Sequence, residues 1–540
     1  MESPMSDRFI LTGGMICDGT GQDAFQGEVL VEDGVIRQIT RGVSAPADNT
    51  PRIDCQGLVV APGFIDVTSN MDFYAGFGGS VYFGQFTRQG VTSFVTGQGG
   101  YSPFAISAYS PHQTLLNQPP FDIGQIEQPA GGLRQFNHQL DSTIHHQLIP
   151  MAGHGSCRLS IAGYDNRPLS GKEQKQLLGL LEESLQDGAA GIAIGLNERP
   201  GMFATKEELH AVAQLTQRYD KVLRVHGRSQ MALSGYYPAL SLRRHNLQAL
   251  DEMLLLARRI GVKLQCSQLA FLGDRSWYTM DTALDSLYKA CEMGVDVQFD
   301  ISPHSVGTTR LINLLPQWFV GNWQEGMASR WQRQRLQLAL TLNFAMSGLG
   351  YSDIKLVSSY SETYEPSEGE RLDTIASSAG QSPFDTLLDI LDKSNSQARV
   401  MVYERYGIGM VQQLMAHVCS LLGSGAVPEP LSGVHHPSAV AAFPRFLQIA
   451  RNTGVLSMEH CVRKMTGAVA DRVGVRDRGY LLEGKRADIT VFNWKSLMDL
   501  TDFAGYDAQP DGIDQVYIGG KCLLKQSRLV SADSVSTNTL

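Results

Sequence analysis

Pro62-Gly63-Phe64-Ile65-Asp66-Val67-Thr68-Ser69-Asn70-Met71-Asp72 is the stretch from which the fold is read. The apolar run at 58–65 is short, rich in β-formers and followed by polar residues, as a buried strand should be. Runs of the same kind recur downstream at 92–96, 148–153, 191–195, 222–225, 262–266, 295–299 and 419–422. Between them lie amphipathic segments such as 173–185 and 247–259, with apolar residues at helical spacing. Strands alternating with helices predict a parallel α/β barrel, and these runs supply its eight strands. The interval from Asp300 to Gly423 is too long for one crossover, so a helical insertion is expected around 305–415. It holds Trp318, Trp323 and Trp331, which fit either a lid or the insertion's own core.

Both chain ends read differently. Residues 8–60 alternate apolar triplets such as Phe9-Ile10-Leu11 and Val29-Leu30-Val31 with the turn pairs Asp18-Gly19 and Asp33-Gly34. Asp-Gly between strand-like runs signals a hairpin. At the far end, Ile489-Thr490-Val491-Phe492 and Val516-Tyr517-Ile518 read as strands, the second turning at Gly519-Gly520. A small β-sandwich built from 1–60 and 480–540 is expected to flank a barrel over 61–479.

At 540 residues, the chain is long enough for both. A net charge of −9 and a pI near 5.8 argue against a nucleic-acid or anionic-membrane partner. No apolar run is long enough for a membrane span, and the opening residues lack a signal-peptide pattern. Eight scattered cysteines without a CxxC pair read as reduced thiols, so a cytoplasmic protein is expected.

The order and spacing of several motifs resemble the N-acyl-D-amino-acid deacylase (D-aminoacylase) branch of the amidohydrolases over nearly the whole chain. They are Pro62-Gly63-Phe64-Ile65-Asp66, Gly90-Val91-Thr92-Ser93, Gly195-Leu196, Pro200-Gly201-Met202-Phe203, Arg463-Lys464-Met465-Thr466 and Asp477-Arg478-Gly479. The resemblance implies a (β/α)8 TIM barrel with its site on the C-terminal ends of the strands. It also implies zinc ligands, and most are replaced. The strand-one histidines fall on Thr68 and Asn70, the strand-two cysteine on Gly99, and the strand-six histidine on Gln268. The general acid/base aspartate falls on Gly425, and the carboxylate-gripping arginine of H-P-R on Ser438. His226, within His226-Gly227-Arg228, alone survives from the ligand-and-aspartate set. Hydroxyls and carboxamides are weak zinc donors, and no metal or other cofactor is expected.

Other strand-end positions have gained protic groups. His226, Glu198 and His304 are candidate catalytic residues, since a carboxylate near a histidine is the minimum for general acid–base work. Asn70, Gln98, His154, Arg228, Gln268, Asp300, Ser302 and His436 are candidate substrate contacts. Cys266 is the alternative nucleophile, although a buried strand cysteine is usually inert. Gly97-Gln98-Gly99-Gly100 reads either as a backbone anion cradle or as a plain turn. The leading expectation is a metal-independent enzyme acting on an amide or acyl small molecule by acyl transfer, condensation or rearrangement. A catalytically inactive scaffold subunit is the alternative. The third is a weak C–N hydrolase with an oxygen-rich metal site from Thr68, Asn70, Gln268 and His226. A homo-oligomer or a partner enzyme is compatible with each.

Overall fold

The computed structural model describes residues 8–43, 48–76, 80–117, 131–238, 241–404, 407–426, 434–501 and 509–530. Its centre is a parallel α/β barrel. Strands Phe64–Asp66, Val91–Val95 and Gln147–Ile149 form one parallel sheet. Ala152–Gly153, Gly191–Gly195, Val222–His226, Lys263–Cys266, Val297–Ile301 and Ser420–Leu422 form a second, in that order. The strand expected at 148–153 is thus two pieces. Pro150 has no amide hydrogen, so the ladder breaks there and each piece pairs with a different neighbour. Counting both pieces as one barrel position, these strands occupy eight. The last strand reaches the first through side chains: Ser424 donates its amide and its hydroxyl to the Asp66 carboxylate.

The strand expected at 58–65 also divides. Val59–Pro62 pairs antiparallel with Ile489–Phe492 in the terminal sheet, and only Phe64–Asp66 enters the barrel. The chain changes sheets at Gly63, where a Cβ would lie 2.3 Å from the Thr92 side chain. The helices form as their periodicity requires. Gly171–Gln186 starts with a Ser170/Glu173 capping box, and His245–Ile260 stops at Gly261, which is left-handed at φ 73°.

The segment expected to be a helical insertion is mixed. It contains the helices Arg330–Ser347, Leu372–Ala379 and Pro383–Lys393, but also an antiparallel sheet of Val306–Arg310, Arg399–Tyr403 and Ile354–Ser358. The β-rich runs Ile354-Lys355-Leu356-Val357 and Val400-Met401-Val402-Tyr403 account for the strands. The insertion has its own core, with Leu311, Leu336, Leu356, Leu387 and Val400 buried together. Trp323 belongs to that core, and Trp318 packs against it under the Arg335 guanidinium at 4.1 Å. Trp331 is 66% exposed, and none of the three lines the cavity at the strand ends.

The two chain ends share one nine-stranded sheet. It folds over on itself around Phe9, Leu11, Val29, Val31 and Ile489, with Phe9 stacked on Tyr517 at 5.1 Å. Two hairpin turns meet across this fold: the Ala487 amide donates to the Gly34 carbonyl, and the Gly520 amide to Ala487. Among the described residues, no helix is long and apolar enough to cross a membrane.

Candidate functional site

A cavity of about 210 Å³ opens where the C-terminal ends of the barrel strands meet the insertion. From the barrel it is lined by Asn70, Gln98, Glu198, His226, Arg228, Gln268, Ser302 and His304. The insertion supplies Thr308, Arg310, Tyr360, Arg399 and Glu404. Eight of the eleven residues expected from the sequence therefore meet in one place. His154, Asp300 and His436 do not line it.

The reasons are physical. His154 is fully buried and its Nε2 meets Glu208 at 2.8 Å, a carboxylate shared with Arg158. Asp300 lies beneath the cavity, accepting from the Thr68 hydroxyl, the Gln265 amide group and the Gln268 backbone, each at 2.8 Å. His436 caps the helix Pro437–Thr453: its Nδ1 accepts from the Ser438 amide and its Nε2 donates to the Val306 carbonyl. Burial, against the pull of Val306, takes the His436 pKa down to about 4. Arg228 lines the cavity with its guanidinium engaged, by Glu252 at Nε and by the Met202 and Ala204 carbonyls at its two ends. Cys266 is buried, and desolvation pushes its thiol up to about 12, which fits the inert reading.

The positions that correspond to metal ligands form a network of amides. Gln98 and Gln268 both donate from Nε2 to the Gly425 carbonyl, at 3.0 and 2.9 Å. A Cβ on Gly425 would lie 2.4 Å from Gln268 Nε2, at a backbone φ of 58°, so an aspartate there would push the Gln268 side chain aside and strain the backbone. Asn70 Oδ1, Gln98 Oε1 and His226 Nε2 are buried without a hydrogen-bond partner. Burial lowers the His226 pKa to about 4, leaving a neutral imidazole at pH 7. Zinc takes three protein ligands from charged or imidazole donors. Here a single imidazole stands among carboxamides, the Thr68 hydroxyl is committed to Asp300, and Gly99 and Gly425 offer nothing. Among the described residues, no group of three His, Cys, Asp or Glu side chains is placed to hold a metal ion. These donors do not fit a zinc ion.

Below the cavity sit three carboxyls and one guanidinium. Arg224 is buried, donates to the Val67 and Thr96 carbonyls, and faces Asp66, Asp72 and Asp300. Burial raises Asp66 to about 6 and Asp72 to about 7, against opposing hydrogen bonds. A carboxyl whose folded pKa lies above its ordinary 3.8 contributes stability below that value and loses it as pH rises through the folded pKa. Asp72→Asn should therefore gain in Tm relative to wild type as pH goes from about 4 to about 7, read by paired melts across that window.

The glycines of Gly97-Gln98-Gly99-Gly100 have a packing role. A Cβ on Gly195 would lie 2.2 Å from the Gly99 carbonyl, and one on Gly100 would lie 2.6 Å from the Gly195 amide. The ends of the second and fourth strands thus touch backbone to backbone. Gly195→Ala should cost about 1–3 kcal/mol through overpacking, visible as a lower Tm.

Glu198 reaches the cavity just past the fourth strand. Burial raises its pKa, and the charges of Arg310 and Arg399 oppose the rise. On another wall, Ser302 Oγ lies 2.8 Å from Ser438 Oγ, which lies 2.9 Å from His304 Nδ1. His304 Nε2 meets Asp499 Oδ2 at 3.0 Å. Burial lowers the His304 pKa, Asp499 opposes this, and Arg445 adds to it. For Asp499, burial works upward, but His304 and Thr501 outweigh it and hold the carboxyl below the usual range. Ser438, Asp499, Arg310 and Arg399 were not singled out as site residues by sequence reasoning. Only Ser438 carried a signal: it is the position onto which the carboxylate-gripping arginine of H-P-R falls.

No family model matches the chain. It is 25% identical over 522 residues to the N-acyl-D-aspartate deacylase of Alcaligenes xylosoxydans xylosoxydans, covering 96% of this chain and 92% of that one. It is 26% identical over 522 residues to the D-aminoacylase of the same organism, covering 95% and 93%. A solved D-aminoacylase, described with a binuclear metal centre, shares the fold at a TM-score of 0.79 and 24% identity over 98% of each chain.

Proposed function

We propose, for a chain that is D-aminoacylase-like along its whole length, a cytoplasmic enzyme that acts on an amide or acyl small molecule without a metal. The observation that supports this most is the amide network at the ligand positions, beside a cavity that still presents protic groups. Glu198, its carboxyl pushed toward the protonated form by burial, is the proton donor, and neutral His226 is its partner. Such groups can serve the proton transfers of acyl transfer, condensation or rearrangement. Arg310 and Arg399 in the same wall suit an anionic group on the substrate, such as a carboxylate. The relatives act on N-acyl-D-amino acids, which makes acylated amino acids the first compounds to try.

The test combines metal content with turnover. Protein purified without added metal or chelator is analysed by plasma mass spectrometry and assayed against N-acyl-D- and N-acyl-L-amino acids, with and without EDTA. The expected result is less than about a tenth of an equivalent of metal and turnover indifferent to EDTA. Stoichiometric zinc, with activity lost to EDTA and restored by zinc, would overturn the reading. No turnover of any acyl compound, with ligand binding retained, would favour the inactive scaffold.

A further inference from the structure

We infer that Ser302 is a nucleophile for acyl groups, activated through a hydrogen-bonded relay of Ser438, His304 and Asp499. The inference rests on the reading that the cavity takes an acyl substrate, and it adds a covalent step that reading lacks.

The direction of the relay follows from its end. Asp499 is buried and can only accept, so His304 Nε2 carries the hydrogen that joins them at 3.0 Å. Nδ1 of the neutral ring then holds a lone pair, and the Ser438 hydroxyl donates to it at 2.9 Å. The Ser438 oxygen is left to accept, and Ser302 donates to it at 2.8 Å. Every donor thus points from the cavity toward the carboxylate. Each member is held in place. The Thr501 amide and hydroxyl fix Asp499 Oδ1 at 2.7 and 2.6 Å, and the Ser438 amide is held by His436 Nδ1 at 3.0 Å. Ser438 is fully buried, whereas Ser302 is partly exposed and lines the cavity. Of the two serines, Ser302 is the one placed to touch a substrate.

The step balances without another reactant. Ser302 Oγ forms a bond to the acyl carbon while its proton passes to Ser438 Oγ and the Ser438 proton passes to His304 Nδ1. The imidazolium is stabilised by Asp499, and as the acyl bond breaks the leaving nitrogen or oxygen takes its proton from Glu198, the proton donor that lines the same cavity. Water, or an acceptor amine or alcohol, then takes the acyl group from Ser302 and gives its proton to the Glu198 carboxylate, while the imidazolium proton returns through Ser438 to Ser302 Oγ. Ser438, His304 and Asp499 are positioning residues. Desolvation helps here, because His304 must be neutral to accept a proton. The charged and titratable groups facing it are Asp499, Arg445 and His436.

The test uses the whole protein and a fluorophosphonate probe, with adduct formation read by intact mass and peptide mapping. The expected result is one adduct per chain, mapped to Ser302 in the wild-type protein and absent in Ser302→Ala. Asp499→Asn should slow labelling on the order of 10²-fold or more, because an amide no longer enforces the tautomer. The acid limb of the labelling-rate profile should move with that substitution, which a merely structural role would not cause. No adduct on folded wild-type protein, or an adduct mapped to another residue, overturns the inference. The adduct is mapped on the wild-type protein, so a variant that fails to fold leaves the test intact. Labelling needs no natural substrate. Absent labelling with acyl turnover intact would sink the nucleophile alone, and labelling with no acyl turnover would sink only the broader reading.

Discussion

Arg224→Met is expected to lower the stability of the folded protein by about 3–5 kcal/mol, the usual cost of removing one partner from a buried charge cluster. Arg224 is 2% exposed, and its guanidinium ties the first strand to the second through the Val67 and Thr96 carbonyls. It is also the cation that faces Asp66, Asp72 and Asp300 under the cavity. Methionine fills much of the volume, so the loss is electrostatic rather than steric. Calorimetry should show a fall in Tm of several degrees. The deficit should be smaller at pH 5 than at pH 8, because the orphaned carboxyls take up protons at the lower pH. Arg224→Lys should recover part of the loss, since it keeps the charge but not the two-carbonyl bridge. A Tm unchanged in Arg224→Met at pH 8 would show that the cluster is held by something else.

The second large effect concerns Glu198 and His226. On the proposed chemistry, Glu198→Gln and His226→Ala each lower kcat by roughly 10²–10⁴-fold, the usual range for a positioned acid or base. Glu198 is held toward its protonated form by burial, so activity should fall as pH rises through its elevated pKa. Glu198→Gln should abolish that alkaline limb. His226 has a pKa near 4, so its protonation should define an acid limb at about that pH. If the two act in one step, the double variant should be little worse than the worse single. Wild-type kcat in both single variants would dismiss them as chemical groups.

Most of the barrel was legible because buried parallel strands are short apolar runs set off by turn residues, as at Gly191–Gly195 and Val222–His226. Two boundaries were not. Pro150 and Gly63 interrupt runs that are continuous in hydrophobicity, and only hydrogen-bonding partners reveal the change of sheet. The insertion's sheet was missed because its strands lie among helices and pair out of chain order. Within the site, Asn70, Gln98, His226 and Gln268 could be placed by motif alignment, since strand ends converge in any such barrel. The pairing of His304 with Ser438 and Asp499 could not. Ser438 and Asp499 lie 134 and 195 positions away, and nothing local marks them as neighbours. Arg310 and Arg399 lie in the insertion, for which none of the matching motifs supplies a position.

The sheet that joins the two chain ends also sets a timetable for synthesis. Val59–Pro62 is among the earlier strands to leave the ribosome, yet its partner Ile489–Phe492 follows more than four hundred residues later. At about 5–20 residues per second, the early strand waits tens of seconds with one hydrogen-bonding edge open. That edge is apolar and of the kind that pairs with foreign strands. The nascent chain is therefore most exposed to aggregation during translation of its middle. A stop or stall before Ile489 would leave a nearly complete barrel whose terminal sheet cannot close.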